Sequence, residues 1–224
     1  MPMDHWLSAL RQHGHAAVDG DLEALASHPR PFLTEQSVCA QVESLSGHLA
    51  ALKTPVRREV IAYSLYVRQM DAIQEAGPRA VCAGHCPRPP AGCCTHDHFV
   101  ILNVTDLMSS QRSPLALHMV HVIGQLQKLE SAHNFGRGRS PKPGFCACLA
   151  EDGCTLRLFK SPRCAHYLCE SLEQTLLERH GPDAAPFLAA MRHTLTSTIS
   201  SPQDFGNSEV ISTGASLFGQ PLAP

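Results

Sequence analysis

The sequence predicts a mainly α-helical protein, in which a helical hairpin supports a cysteine-rich, loop-rich metal-binding region with at most short strands. Two apolar stripes with helical spacing, at 38–52 and 56–70, predict the hairpin. Nine of the ten cysteines fall within 82–94 and 146–169, which predicts the metal-binding region. With 224 residues and 43% apolar side chains, the chain is long and apolar enough to form a globular core.

The charge and hydropathy of the chain argue against nucleic acid or a membrane as partner. The formal net charge is −2, so there is no basic excess to attract an anionic polymer or surface. No stretch reaches the roughly 18 apolar residues of a membrane helix, and the start lacks the pattern of a secretory signal. We therefore expect a soluble cytoplasmic protein, where clustered cysteines more often bind metal or do redox chemistry than form disulfides.

Residues 1–33 are expected to be an N-terminal segment with weak helical signals, and residues 34–77 the helical hairpin. Thr34 is the expected N-cap of the first helix, and Thr54-Pro55 begins the second after a very short link. The short link predicts antiparallel helices whose apolar stripes face each other. The stripe residues are Val38, Val42, Leu45, Leu49 and Leu52, then Val56, Val60, Tyr63, Val67 and Met70.

Residues 78–200 are expected to form the cysteine-cluster region, packed on the hairpin as one domain. β-Branched and apolar residues at 98–105 predict a short strand. Ser-Pro pairs at 113–114 and 161–162 predict two helix starts, and Asp183 is expected to cap a last helix. Residues 201–224 are rich in Gly, Ser and Pro, and we expect an irregular tail there.

The two cysteine blocks contain the residue types of a thiolate metal site. The first reads CAGHCPRPPAGCC over 82–94, and the second places five cysteines within 146–169. Thiolate is a soft donor that selects zinc, cuprous copper or iron–sulfur clusters, and a zinc ion or a cubane cluster needs about four such ligands. A shared metal would join the blocks, at about 10–16 kcal/mol for a structural zinc. The sulfur count leaves one multinuclear centre and two separate sites both open.

Together the blocks resemble the CxxCxxCC (YkgJ-like) cysteine-cluster family, which is described as zinc- or iron-chelating. The first block and T-D-L at 105–107 are similar to its opening. C-A-C-L at 146–149, G-C-T-L at 153–156 and S-P-R-C-A-H-Y-L-C at 161–169 are similar to its later segment. The resemblance covers about residues 82–170. It implies eight metal ligands: Cys82, Cys86, Cys93, Cys94, Cys146, Cys154, Cys164 and Cys169.

The chain differs from the family pattern at several positions. Residues 88–92 are an insertion before the double cysteine, and Thr95, Ser161 and Ala165 stand where the family has arginine. The additional candidate ligands are His85, His96, His98 and Cys148. Cys39 lies alone on the first hairpin helix, where apolar packing is the expected role.

The sequence predicts metal binding without naming a reaction. One reading is a zinc- or cluster-binding protein that works as a scaffold or binding module. The alternative is an iron–sulfur-dependent oxidoreductase or protein-modifying enzyme, because eight cysteines exceed the four ligands of one closed zinc site. The chain contains no G-x-x-x-x-G-K, G-x-G-x-x-G, H-E-x-x-H or G-x-S-x-G motif. A metal ion or cluster is the one partner that the sequence indicates.

Overall fold

The computed structural model describes residues 19–26, 30–79, 94–135, 144–150 and 153–219, and this part of the protein is mainly α-helical. Its helices are α1 (Asp19–Ala26), α2 (Glu35–His48), α3 (Thr54–Ala76), α4 (His96–Ser109), α5 (Pro114–Phe135), α6 (Pro162–His166), α7 (Glu170–His180), α8 (Ala184–Thr196) and α9 (Ser208–Phe218). Two 3-10 turns occupy Gly181–Asp183 and Pro202–Phe205, and two-residue strands β1 (Leu149–Ala150) and β2 (Gly153–Cys154) pair antiparallel. The prediction of a mainly α-helical fold with at most short strands is confirmed for these residues. None of the helices described is long and apolar enough to cross a membrane.

Helices α2 and α3 form the predicted antiparallel hairpin. The Thr34 side chain caps α2 by accepting a hydrogen bond from the Ser37 amide at 3.1 Å, as expected. Midway along the hairpin, buried Gln41 donates to the Ser64 hydroxyl at 2.8 Å. The stripe residues of both helices are buried, with Leu52 partly so, and all of them except Met70 belong to one core between the helices. The hairpin prediction is therefore confirmed, although α3 begins at Thr54 with Lys53 as its N-cap.

Helix α3 connects two apolar cores. Its first half, from Val56 to Val67, packs with α2, α5 and the segment around Phe159. Its second half contributes Met70 and Ile73 to a separate cluster with α7, α8 and α9. Helix α3 is thus the element against which both the cysteine-bearing segment and the C-terminal helices are positioned.

The strand predicted at 98–105 is wrong, because this stretch is part of helix α4. The Thr95 side chain caps the helix by accepting from the His98 amide at 3.2 Å, and Asp97 in the first turn complements the helix dipole. Three of the apolar residues that suggested a strand remain exposed by 43–59%: Val100, Ile101 and Val104. A local cap therefore outweighed the β-propensity of residues that are largely exposed in the described part of the protein.

The expectation of an irregular tail is wrong for residues 201–219. A 3-10 turn buries Phe205, and α9 follows with its N-terminus capped by the Asn207 side chain, which accepts from the Glu209 amide at 2.9 Å. Val210 and Ile211 are buried on one side of α9. An Asn cap before an amphipathic stretch is a helix-start signal that the Gly- and Ser-rich composition obscured.

The helix predicted to start at Ser161-Pro162 exists but is shorter than expected. Ser161 caps α6 as predicted, yet α6 ends at His166 because Tyr167 adopts an extended backbone with ψ 123°. A second helix, α7, begins at Glu170. Asp183 precedes α8 at the predicted place, but its side chain makes no capping hydrogen bond. Cys164 and Cys169 therefore lie on two different elements.

Candidate metal centre

The end of the first cysteine block lies beside the start of the second. The amide of Cys146 donates to the carbonyl of Cys94 at 2.9 Å, and Thr95 and Phe145 form an antiparallel bridge. The His96 amide adds a bond to Gly144 at 3.3 Å. These backbone bonds hold two segments together that are separated in sequence by helices α4 and α5.

Four cysteines from these segments pack in one small cluster. Cys146 and Cys148 are its buried members, and Cys94 and Cys154 are partly buried against them. The Cys148 amide donates to the Cys146 sulfur at 3.4 Å, while the Cys148 sulfur lies 3.8 Å from the Ser131 hydroxyl. Apolar contacts come from Phe99, Leu149 and Leu156. The cluster thus combines sulfur donors with an apolar surround.

Cys164 approaches the same cluster from helix α6. Its amide donates to the Ser161 side chain at 3.3 Å, which places the thiol in the first turn of this short helix. Burial raises the pKa of the Cys164 thiol to about 12, and the nearby Cys154 and Cys146 thiols act in the same direction. Cys164 is therefore electrostatically coupled to two thiols of the cluster, but it is not one of the packed members.

Two thiols of the cluster, those of Cys148 and Cys154, have pKa values above the ordinary value. A hydrogen bond with Cys146, reinforced by burial, raises the pKa of Cys148, and burial also raises the pKa of Cys154. Lys160 opposes this shift at Cys154 through its positive charge. A bound cation would replace those thiol protons, because metal ligation requires thiolates and releases protons.

The segment between Cys154 and Cys164 is anchored by a buried carboxylate on α5. Glu130, 2% exposed, accepts hydrogen bonds from the amides of Arg157 (2.7 Å), Leu158 (3.2 Å) and Phe159 (3.1 Å). Burial raises the pKa of Glu130 to about 7, although the three amides oppose this shift. Glu130 therefore fixes the backbone from which the last cysteines of the site project.

Two further acidic residues hold the same segment. Asp106 on α4 is fully buried and accepts from the Arg163 amide at 3.3 Å, which secures the start of α6. Asp71 on α3 binds Arg157 at 2.7 Å and Lys160 at 3.3 Å. Burial raises the pKa of Asp106 to about 7, whereas the surrounding cations hold the pKa of Asp71 below its usual value despite burial.

The sequence analysis did not identify these anchoring carboxylates. A signal was present at two of them, because Asp71 lies four residues after Val67 and Glu130 four residues after Leu126. An acidic side chain that continues an apolar stripe faces the core rather than solvent. Such a residue then needs hydrogen-bond partners to offset the cost of burial.

The remaining predicted site residues lie apart from the cluster or beyond the described part. Cys169 precedes α7 and packs against the second apolar core, while Cys39 is half-buried on α2. His96 is exposed, and the His98 ring meets Tyr167 edge-on with centroids 4.3 Å apart. The predictions that fall outside the described residues concern Cys82, His85, Cys86 and Cys93. None of the seven cysteines described forms a disulfide.

Within the described ranges, no three His, Cys, Asp or Glu side chains are arranged to hold a metal ion as they stand. Comparisons with protein-family models, curated proteins and solved structures found no match. The resemblance to the cysteine-cluster family and its eight-ligand set remain predictions.

Proposed function

We propose that the protein binds a metal centre, either zinc or an iron–sulfur cluster, through thiolates from both cysteine blocks. The observation that supports this best is the packing of Cys94, Cys146, Cys148 and Cys154 in one small cluster, with Cys164 electrostatically coupled to two of them. Buried thiols rarely collect in this number for packing alone, because one cysteine offers no more apolar surface than other small residues. A bound soft metal would explain why these thiols lie together, because such metals prefer thiolate ligands.

Within the described part of the protein, the metal ligands would come from Cys94, Cys146, Cys154 and Cys164. The amide of Cys148 already donates a hydrogen bond to the Cys146 sulfur. Such a second-shell hydrogen bond would stabilise the Cys146 thiolate as a metal ligand. Cys82, Cys86, Cys93 and Cys169 would complete the set of eight, as the resemblance implies. The apolar surround excludes water, which suits both a closed zinc site and a cluster.

Anaerobic purification followed by metal analysis and a visible spectrum tests the proposal directly. Stoichiometric zinc in a colourless protein would identify a zinc site and remove the cluster version. Iron with acid-labile sulfide and a brown colour would do the reverse. A protein that emerges without zinc or iron, and takes up neither when reconstituted under reducing conditions, would refute metal binding.

Cysteine variants locate the site once a metal is found. We expect Cys146→Ser and Cys154→Ser to reduce the bound metal strongly, because each removes a converging sulfur. Cys39→Ser is the matched control, since Cys39 is half-buried on α2 and lies outside the cluster. Equal metal loss in the control, or none in the cluster variants, would contradict the assigned site.

A further inference from the structure

A groove of about 630 Å³ runs along one face of α3, on the surface rather than among the cysteines. Its floor is formed by residues of α3 at helical spacing: Glu59, Ala62, Tyr63, Tyr66 and Gln69. Its opposite wall is formed by residues from the segment 202–212. Its volume lies in the range of ligand-binding sites. The ten-residue separation of Glu59 and Gln69 gives it a length of about 15 Å at 1.5 Å per residue.

The two ends of the groove carry opposite charges. Glu59 lies at one end, where its carboxylate accepts a hydrogen bond from Gln203 at 3.0 Å. Arg30 also lines the groove, and we place it toward the Gln69 end because Phe32, two residues later, belongs to the same apolar cluster as Met70 and Ile73. An occupant with an acidic group at one end and a basic group at the other would match this polarity.

The amide oxygen of the Gln69 side chain needs a hydrogen-bond donor. The residue is 2% exposed, and its amide oxygen has no hydrogen-bond partner among the described residues. A buried unsatisfied acceptor costs about 1–3 kcal/mol, so an occupant with an N–H group would recover that cost. An apolar ligand would leave the cost in place.

An aromatic wall in the middle of the groove is held rigidly. The Tyr66 hydroxyl is bonded to the buried His166 ring at 2.7 Å, and a Cβ at Gly206 would approach the Tyr66 ring within 3.0 Å. The chain at 206 therefore passes directly over the ring, and a side chain there would clash. The middle of the groove offers preorganised apolar contact between two charged ends.

We propose that this groove binds an extended peptide segment of about five residues, with an acidic group at Arg30 and a basic group at Glu59. Five residues at about 3.3 Å each span the length of the groove. The peptide backbone supplies the N–H donor that Gln69 lacks, and apolar side chains between the charges contact Tyr66. The inference does not depend on the metal centre.

A phage-displayed library of random heptapeptides, selected on the full-length protein, tests the peptide and its polarity together. The selection is counter-screened on Ser212→Trp, because Ser212 is an exposed residue of the groove wall where a large ring blocks entry without disturbing the core. We expect an enriched pattern in which acidic and basic residues are separated by three or four positions. No enrichment over the blocked variant, or enrichment without the charge pair, would overturn the proposal.

Binding of the selected peptide to point variants tests the assignment of its contacts. By fluorescence polarisation we expect Gln69→Leu to weaken affinity about tenfold, and Arg30→Gln about threefold to fivefold. Arg112→Gln is the matched control, because Arg112 is exposed and away from the groove. Affinities unchanged in the groove variants, or lowered equally in the control, would show that the peptide binds elsewhere and refute the groove.

Discussion

The Glu130→Met substitution tests whether a buried carboxylate organises the second cysteine block. Methionine has a similar length and adapts to irregular space, so the change removes hydrogen bonds while largely filling the volume. The amides of Arg157, Leu158 and Phe159 would then be left without their acceptor. At about 1 kcal/mol or more for each buried donor, the loss is at least about 3 kcal/mol. That is a large part of the 5–15 kcal/mol that stabilises a typical domain.

The loss of stability expected for Glu130→Met depends on pH, and the pKa of Glu130 determines whether it grows or shrinks as pH rises. Burial raises that pKa from an ordinary 4.5 to about 7, so the folded protein binds more protons than the unfolded chain between these values. Wild-type stability therefore falls as pH rises through this window, by on the order of 3 kcal/mol from this residue. The methionine variant has no such titration. The difference in the free energy of unfolding between the wild type and the methionine variant should be largest near pH 4.5 and smaller above pH 7.

Urea denaturation of both proteins, followed by circular dichroism at pH 5 and pH 8, measures these effects. Glu178→Met is the matched control, because Glu178 is exposed on α7, where it accepts a side-chain hydrogen bond from Gln174. We expect the control to change stability by less than about 0.5 kcal/mol. A loss below about 1 kcal/mol for Glu130→Met at pH 5, or parallel pH profiles for the two proteins, would refute the anchoring role.

Three further substitutions test local packing and capping. Gly214→Val should destabilise by about 1–3 kcal/mol in thermal melts, because a Cβ there would lie 2.7 Å from the Ile73 side chain. Gly124→Ala should instead stabilise by about 0.5–1 kcal/mol in the same melts, since nothing lies within 4 Å of the new methyl group on α5; a loss would contradict this. Ser161→Ala should cost about 1 kcal/mol in the same melts, because it removes the α6 cap. An unchanged melting temperature would argue against that cap.

The helical hairpin was predictable because its information is local. Thr34 provides a cap, and Val38 to Met70 repeat apolar residues at the spacing that α-helices require. The gathering of cysteines into two blocks could also be read directly, and Cys94 and Cys146 indeed lie beside each other. The metal itself, and the ligand set, remain predictions.

The errors arose where composition and local signals disagreed. Residues 98–105 have strand-like composition, yet the Thr95 cap starts a helix that leaves Val100 and Ile101 exposed. Residues 208–218 look like a flexible tail, yet they fold because Val210 and Ile211 fit against the second core. Propensity is a weak preference that a cap or a buried contact can outweigh.

The sequence alone determined the helical class of the protein, the hairpin and the confinement of the sulfurs to two blocks, because periodicity, caps and residue types are properties of neighbouring residues. Only the tertiary structure decided that Cys94 packs with Cys146, Cys148 and Cys154 while Cys169 packs in another core. It also decided that Glu130 and Asp106 hold the intervening backbone. These arrangements depend on contacts between distant segments, and the cost of burying a carboxylate is met only where the fold brings backbone amides to it.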